Sequence, residues 1–154
     1  MVSVNWRFLR QPWLVVGLAC IFGLTGCGSG EQPRLPVVPV SGKVLIDGQA
    51  PVQAEIRLRP DVPLPDPGKR SIEPYAIVKE DGTFLVGTYL TDDGAPLGEY
   101  SLFLVWPTIT VDGVEEIVGP DRFKGQFNKP EYPLARVHVG QEKVVIPDLN
   151  LQAP

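Results

Sequence analysis

Histidine and cysteine are nearly missing from this 154-residue chain, which has one histidine, His138, and two cysteines, Cys20 and Cys27. Zinc catalysis needs several histidine, cysteine or carboxylate ligands at fixed spacing. A Ser-His-Asp hydrolase would have to rely on His138, and no Gly-x-Ser-x-Gly elbow is present to carry its nucleophile. No catalytic residue, metal or other cofactor is therefore expected. His138 alternates with Val137 and Val139, so it should face solvent while the valines face inward. No cluster of Lys and Arg supplies a basic footprint for nucleic acid. No helical periodicity appears after residue 30, which argues against a helix bundle. Long apolar runs are lacking as well. The run Trp13 to Leu24 would be about 18 Å long as a helix, against a hydrocarbon core of about 30 Å.

That short run is informative because of its flanks. Arg7 and Arg10 precede it without any acid, and Leu24-Thr25-Gly26-Cys27 closes it. A basic segment, a short apolar segment and small residues at a cleavage point make a secretory signal. The run has no polar face that would let it pack as an amphipathic core helix, and it ends in the flexible tract Gly26-Cys27-Gly28-Ser29-Gly30. Leu24, Thr25, Gly26 and Cys27 together resemble the lipobox of bacterial lipoproteins. The resemblance implies that the Cys27 thiol receives a diacylglyceryl group and that the chain is cut before it. A thiolate is the nucleophile such a thioether requires, and two or more acyl chains, palmitate among them, anchor stably where one is marginal. Cys20 lies inside the apolar run, so a mature chain has no internal disulfide.

The expected organisation is a signal peptide over residues 1–26, a lipidated cysteine and tether over 27–36, and one domain over 37–152. Removing residues 1–26 with their two arginines leaves twelve Lys+Arg against eighteen Asp+Glu, a formal charge of −6. The expected address is the cell envelope, membrane-anchored, with the domain on the extracytoplasmic side. Gly28 stands where an aspartate would retain some lipoproteins at the inner membrane, which favours the outer one. Expected partners are the membrane through the anchor and an envelope protein or a glycan, with no nucleic acid.

The 17 prolines and 16 glycines lie almost entirely beyond the signal and punctuate short β-rich runs. Val37 to Ile46 stops at Asp47-Gly48, a strong turn signal. Pro51 to Arg59 alternates, with Val52, Ala54, Ile56 and Leu58 on one face and Gln53, Glu55, Arg57 and Arg59 on the other, as in a half-buried antiparallel strand. Pro60 to Pro74 reads as a long loop. Tyr75 to Val86 reads as a hairpin around Glu80-Asp81-Gly82. Glu99 to Trp106 is apolar at every position after Ser101 and should be the central strand. Thr108 to Gly119 reads as a loose excursion around Asp112-Gly113, and Pro120 to Pro133 as irregular. Arg136 to Leu151 reads as a final hairpin with an edge or bulge at Pro147. About seven short strands without a helix indicate a β-sandwich.

Val40-Ser41-Gly42-Lys43-Val44, Asp47 to Val52 and Ala54 to Leu58 together resemble the opening of carboxypeptidase regulatory-like domains. The resemblance continues through Asp81-Gly82-Thr83-Phe84, Asp93 to Tyr100, and Arg122 to Phe127 followed by Pro130. It is strongest to small lipoproteins of this type in planctomycete bacteria. It implies an all-β, Ig-like or prealbumin-like Greek-key sandwich, and no established activity. The transthyretin-related hydrolases depend on several histidines and a C-terminal motif that this chain lacks.

Four aromatics are the candidate ligand contacts: Trp106, Phe123, Phe127 and Tyr132, on or beside irregular segments. A carbohydrate or peptide would then bind through the loops 60–74 and 108–133. The competing expectation is that Phe123 and Phe127 pin a long loop onto the sandwich. Tyr100 is expected to pack its ring in the core and return its hydroxyl to a loop backbone, as in a tyrosine corner. Asp92-Asp93 and Glu115-Glu116 lack the spacing of an EF-hand and read as solvated acids.

Overall fold

A computed structural model describes residues 34–64 and 72–154. The expected signal, Cys27 and residues 65–71 of the long loop lie outside them. The described chain runs through β1 (Val37–Val38), β2 (Val40–Ile46), β3 (Glu55–Pro60), β4 (Tyr75–Ile77), β5 (Thr83–Leu85), β6 (Ala95–Pro96), β7 (Gly98–Val105), β8 (Pro107–Asp112) and β9 (Glu115–Asp121). A 3-10 turn, Gln126–Asn128, and β10 (Ala135–Val139), β11 (Val144–Val145) and β12 (Leu149–Leu151) complete it.

These strands make a β-sandwich. One sheet is antiparallel in the order β10-β7-β3-β4; in the other, β2 lies between β5, antiparallel to it, and the successive pieces β11 and β12, parallel to it. Counting β11 and β12 as one strand broken at Pro147, seven strands form the two layers. Alternation puts Val40, Val44 and Ile46, then Ala54, Ile56 and Leu58, then Tyr100, Leu102 and Leu104 into one shared core with Phe84, Val86, Val137, Val139 and Ile146. In β7 every residue from Tyr100 to Leu104 is buried. Phe103 points away from that core, and the Arg59 guanidinium covers it at 4.7 Å from the ring centroid. Residues on both faces of this strand are thus removed from water, as its unbroken apolar run requires.

Four expectations about local structure need correction. The alternating strand starts at Glu55, not Pro51, because Val52 and Gln53 form a turn in which Gln53 has φ 67°; Val52 is exposed. The Tyr75–Val86 segment turns at Asp81-Gly82, but its arms join different sheets. They are tied at Lys79–Thr83 and Tyr75–Gly87, while Val78 donates to Ala54 and Val86 donates to Val40. Opening the hairpin between its ends lets Ala76, Val78, Phe84 and Val86 enter the core from both layers. The C-terminal segment is not a hairpin either. β10 pairs with β7, whereas Val144 and Ile146 donate to Pro39 and Ser41 across the sandwich, satisfying the edge of β2. Lastly, the excursion after Thr108 is a regular antiparallel ribbon, β8–β9, with an irregularity between Pro107 and Ile109.

The expected tyrosine corner is present. The buried Tyr100 hydroxyl donates to the Pro96 carbonyl at 2.7 Å, and burial pushes the phenol pKa up to about 12. The first described residues are docked: Leu35 N–H donates to the Tyr89 hydroxyl at 3.0 Å, and the Arg34 guanidinium lies 5.5 Å from that ring's centroid. No helix among the described residues is long and apolar enough to cross a membrane.

Candidate functional site

Three of the four candidate aromatics come together where β7 ends. Trp106 and Phe123 have ring centroids 5.9 Å apart, and Phe123 meets Phe127 edge-on at 5.1 Å. Phe127, on the 3-10 turn, belongs to the buried core, with Trp106 and Phe123 packed against it. The Trp106 indole N–H donates to the Val52 carbonyl at 3.0 Å, and Arg122 lies 4.4 Å above the indole ring. Asp121 holds the turn below them by accepting from the Trp106 and Gly125 N–H groups at 2.8 and 2.6 Å. Lys124 and Gly125 take positive φ to make that turn. The cluster therefore fastens the segment after the ribbon to the sandwich. Tyr132 is outside it and 74% exposed.

A second locus was not among the expected contacts. The outer face of the opened β4–β5 hairpin, the turn at Val52-Gln53 and the segment from Gly87 to Asp92 enclose a half-open groove of about 760 Å³. Tyr75, Ile77 and Leu85, residues 52, 43 and 39% exposed, form its floor, and Leu90 stands at its wall. Gln53, Lys79, Glu80, Thr91 and Asp92 supply polar groups around them. Tyr89, which holds Arg34 and Leu35, lines one part of it, so the groove lies where the chain enters the domain. An apolar floor with a few convergent polar groups is the usual composition of a ligand cleft, and this volume is within the usual range of about 300–1,000 Å³.

The groove wall owes its shape to Asp93. Its carboxylate accepts from the backbone N–H groups of Thr88, Tyr89 and Leu90 at 2.6, 3.2 and 3.0 Å. Thr88 Oγ1 donates to the Gly94 carbonyl, and Gly94, at φ 107°, approaches Val38 so closely that a Cβ would lie 2.1 Å from the Val38 oxygen. Lys79 and Asp92 close the rim at 3.9 Å, an exposed pair of small energetic weight. The sequence does carry a signal for the groove. Both arms of the hairpin have apolar residues on both faces, Tyr-Ala-Ile-Val and Phe-Leu-Val, which one core cannot bury.

Several other polar side chains have local partners. Asp81 accepts from the Thr83 hydroxyl and N–H, and these bonds hold its carboxyl below the usual carboxylate range. Asp61 accepts from Ser101 and Arg136. His138 is exposed and faces Glu99, while Val137 and Val139 are buried. Glu115 and Glu116 are exposed on the ribbon. Among the described residues no three His, Cys, Asp or Glu side chains gather as metal ligands would.

Comparison with known protein families finds no match, and no curated protein is similar in sequence. Two solved structures share weak likeness. One is a 9R-lipoxygenase from Cyanothece PCC8801, with 12% identity and a TM-score of 0.40 over 75% of this chain; the chain spans 16% of that enzyme. The other is a Pseudomonas aeruginosa protein proposed to bind carbohydrate, with 12% identity and a TM-score of 0.42, covering 79% of this chain and 92% of that one.

Proposed function

We propose that the protein is a lipid-anchored component of the bacterial cell envelope whose β-sandwich acts as a non-catalytic interaction module. The observation that carries the anchor is Leu24-Thr25-Gly26-Cys27 behind a short apolar run and two arginines. The interaction role is supported by how the domain uses its polar groups. Asp93, Asp121, Asp81 and Asp61 hold turns and strand ends, while the exposed apolar side chains concentrate on two surfaces. In cells fed labelled palmitate, wild-type protein is expected to carry label and run as the processed form. The Cys27→Ser variant should accumulate as unlabelled precursor. Label on the serine variant would overturn the anchor.

A second reading, carbohydrate binding, is favoured by the groove and not by the aromatic cluster, whose Phe127 is buried. Tyr75 offers an exposed ring whose negative face suits the C–H face of a sugar, and Gln53, Glu80 and Asp92 can pair with hydroxyls. On a glycan array, saturable binding should fall at least tenfold in Tyr75→Ala. Binding indifferent to that change would place the sugar elsewhere.

A further inference from the structure

We infer that the β8–β9 ribbon is a docking arm that accepts, as an added third strand, an extended segment of a partner protein in which apolar residues alternate with Lys or Arg. This deepens the interaction-module reading and rests on it, but not on the lipid anchor. Every residue from Ile109 to Val118 is exposed. The register places Ile109 opposite Val118, and Val111 opposite Glu116, on one face of the ribbon, while Val114 at the tip is fully exposed.

A two-stranded ribbon is marginally stable in water by itself. In antiparallel pairing, alternate backbone N–H and C=O groups of each strand point away from the partner strand, so both long edges offer unpaired groups. Among the described residues the arm is held at its root, where Trp106 N–H reaches Asp121, Arg122 N–H reaches the Trp106 carbonyl, and the Trp106–Phe123–Phe127 cluster anchors both ends of the excursion. Adding a strand at such an edge is an established mode of peptide recognition, with backbone bonds supplying affinity and alternate side chains supplying selectivity.

Charge selects the occupant. Residues 107–121 contain Asp112, Glu115, Glu116 and Asp121 and neither Lys nor Arg. Asp121 is engaged at the root, which leaves three carboxylates at the free end. Like charges set side by side on a sheet are unfavourable, so a ribbon from a second copy is disfavoured, and an anionic lipid surface is disfavoured for the same reason. A strand bearing cations between apolar side chains matches both the carboxylates and the Ile109–Val111–Val118 face.

The test uses the full chain in detergent and two fluorescent ten-residue peptides, one alternating Val and Lys, the other Val and Glu. The Val/Lys peptide should bind saturably and at least tenfold more tightly than the Val/Glu peptide. Val111→Ser/Val118→Ser should weaken that binding at least tenfold. Glu115→Lys/Glu116→Lys should reverse the preference between the peptides. All four positions are exposed, and unchanged circular dichroism would show that the variants are folded. Equal affinity for the two peptides, binding of neither, or a preference that survives charge reversal would overturn the proposal. So would self-association of the full chain that disappears in Val111→Ser/Val118→Ser, because the occupant would then be a second copy.

Discussion

Phe84→Ala is expected to lower the unfolding free energy by about 3–5 kcal/mol, the usual range for removing a fully buried aromatic side chain from a core. Phe84 has no solvent exposure and sits directly across from Gly42 in the β2–β5 pairing. Its ring lies on the glycine: a Cβ there would be 2.5 Å from Cζ. Gly42 does not have positive φ, so alanine at 42 is opposed by this contact and not by backbone conformation. Gly42→Ala alone should therefore cost about 1–3 kcal/mol by overpacking. With Phe84→Ala already present, the same substitution should be neutral or stabilising, because the ring it would strike is gone. Urea unfolding of the four proteins in the cycle measures this, with midpoints shifting at constant slope. Additive costs would mean that the ring does not rest on Gly42.

Tyr100→Phe is expected to cost about 1–3 kcal/mol at pH 7, because the Pro96 carbonyl loses its donor in a buried site. The dependence on pH is more distinctive. The phenol titrates at about 12 in the folded protein, against an ordinary value of 10.0. Below about pH 10 both folded and unfolded chains hold the proton, and its contribution is fully present. As pH rises towards 12 the unfolded chain loses the proton first, so stability falls, by about 3 kcal/mol once both forms have ionised. The phenylalanine variant lacks this loss. Its deficit against wild type should shrink above pH 10 and approach zero or reverse near pH 12. Parallel urea curves from pH 7 to 11.5 would show this; a constant deficit would mean that the hydroxyl is not held in a dry site.

The aromatic candidates show why residue type alone does not define a site. Trp106, Phe123 and Phe127 are all candidate ligand contacts by type and position, and for Phe123 and Phe127 loop fastening is the competing expectation. The geometry gathers them into a packed cluster, with Phe127 in the core and Trp106 hydrogen-bonded to Val52. Tyr75, Ile77 and Leu85 carry no local mark of a site, because each alternates with core residues as an ordinary strand position does. Their exposure becomes visible only when the two arms of one hairpin are seen to enter opposite sheets, turning their outer faces into a shared floor. The same limit applied at the C-terminus. Periodicity identifies a strand and its buried face, but Val144 and Ile146 could bury themselves against either layer. The unpaired edge of β2 decided the outcome, and that edge is created by residues about 100 positions earlier.

By itself the sequence determined the all-β class, the inward face of β3, the central place of β7 with its unbroken apolar run, the turns at Asp47-Gly48 and Asp81-Gly82, and the role of Tyr100. Each of these follows from local alternation or from the conformational needs of a few neighbouring residues. Only the tertiary structure decided which strands share a sheet, where apolar side chains remain in water, and that residues 107–121 stand out as a ribbon. Those outcomes depend on which backbone edges and side-chain faces are already covered by distant parts of the chain, a property that no local window contains.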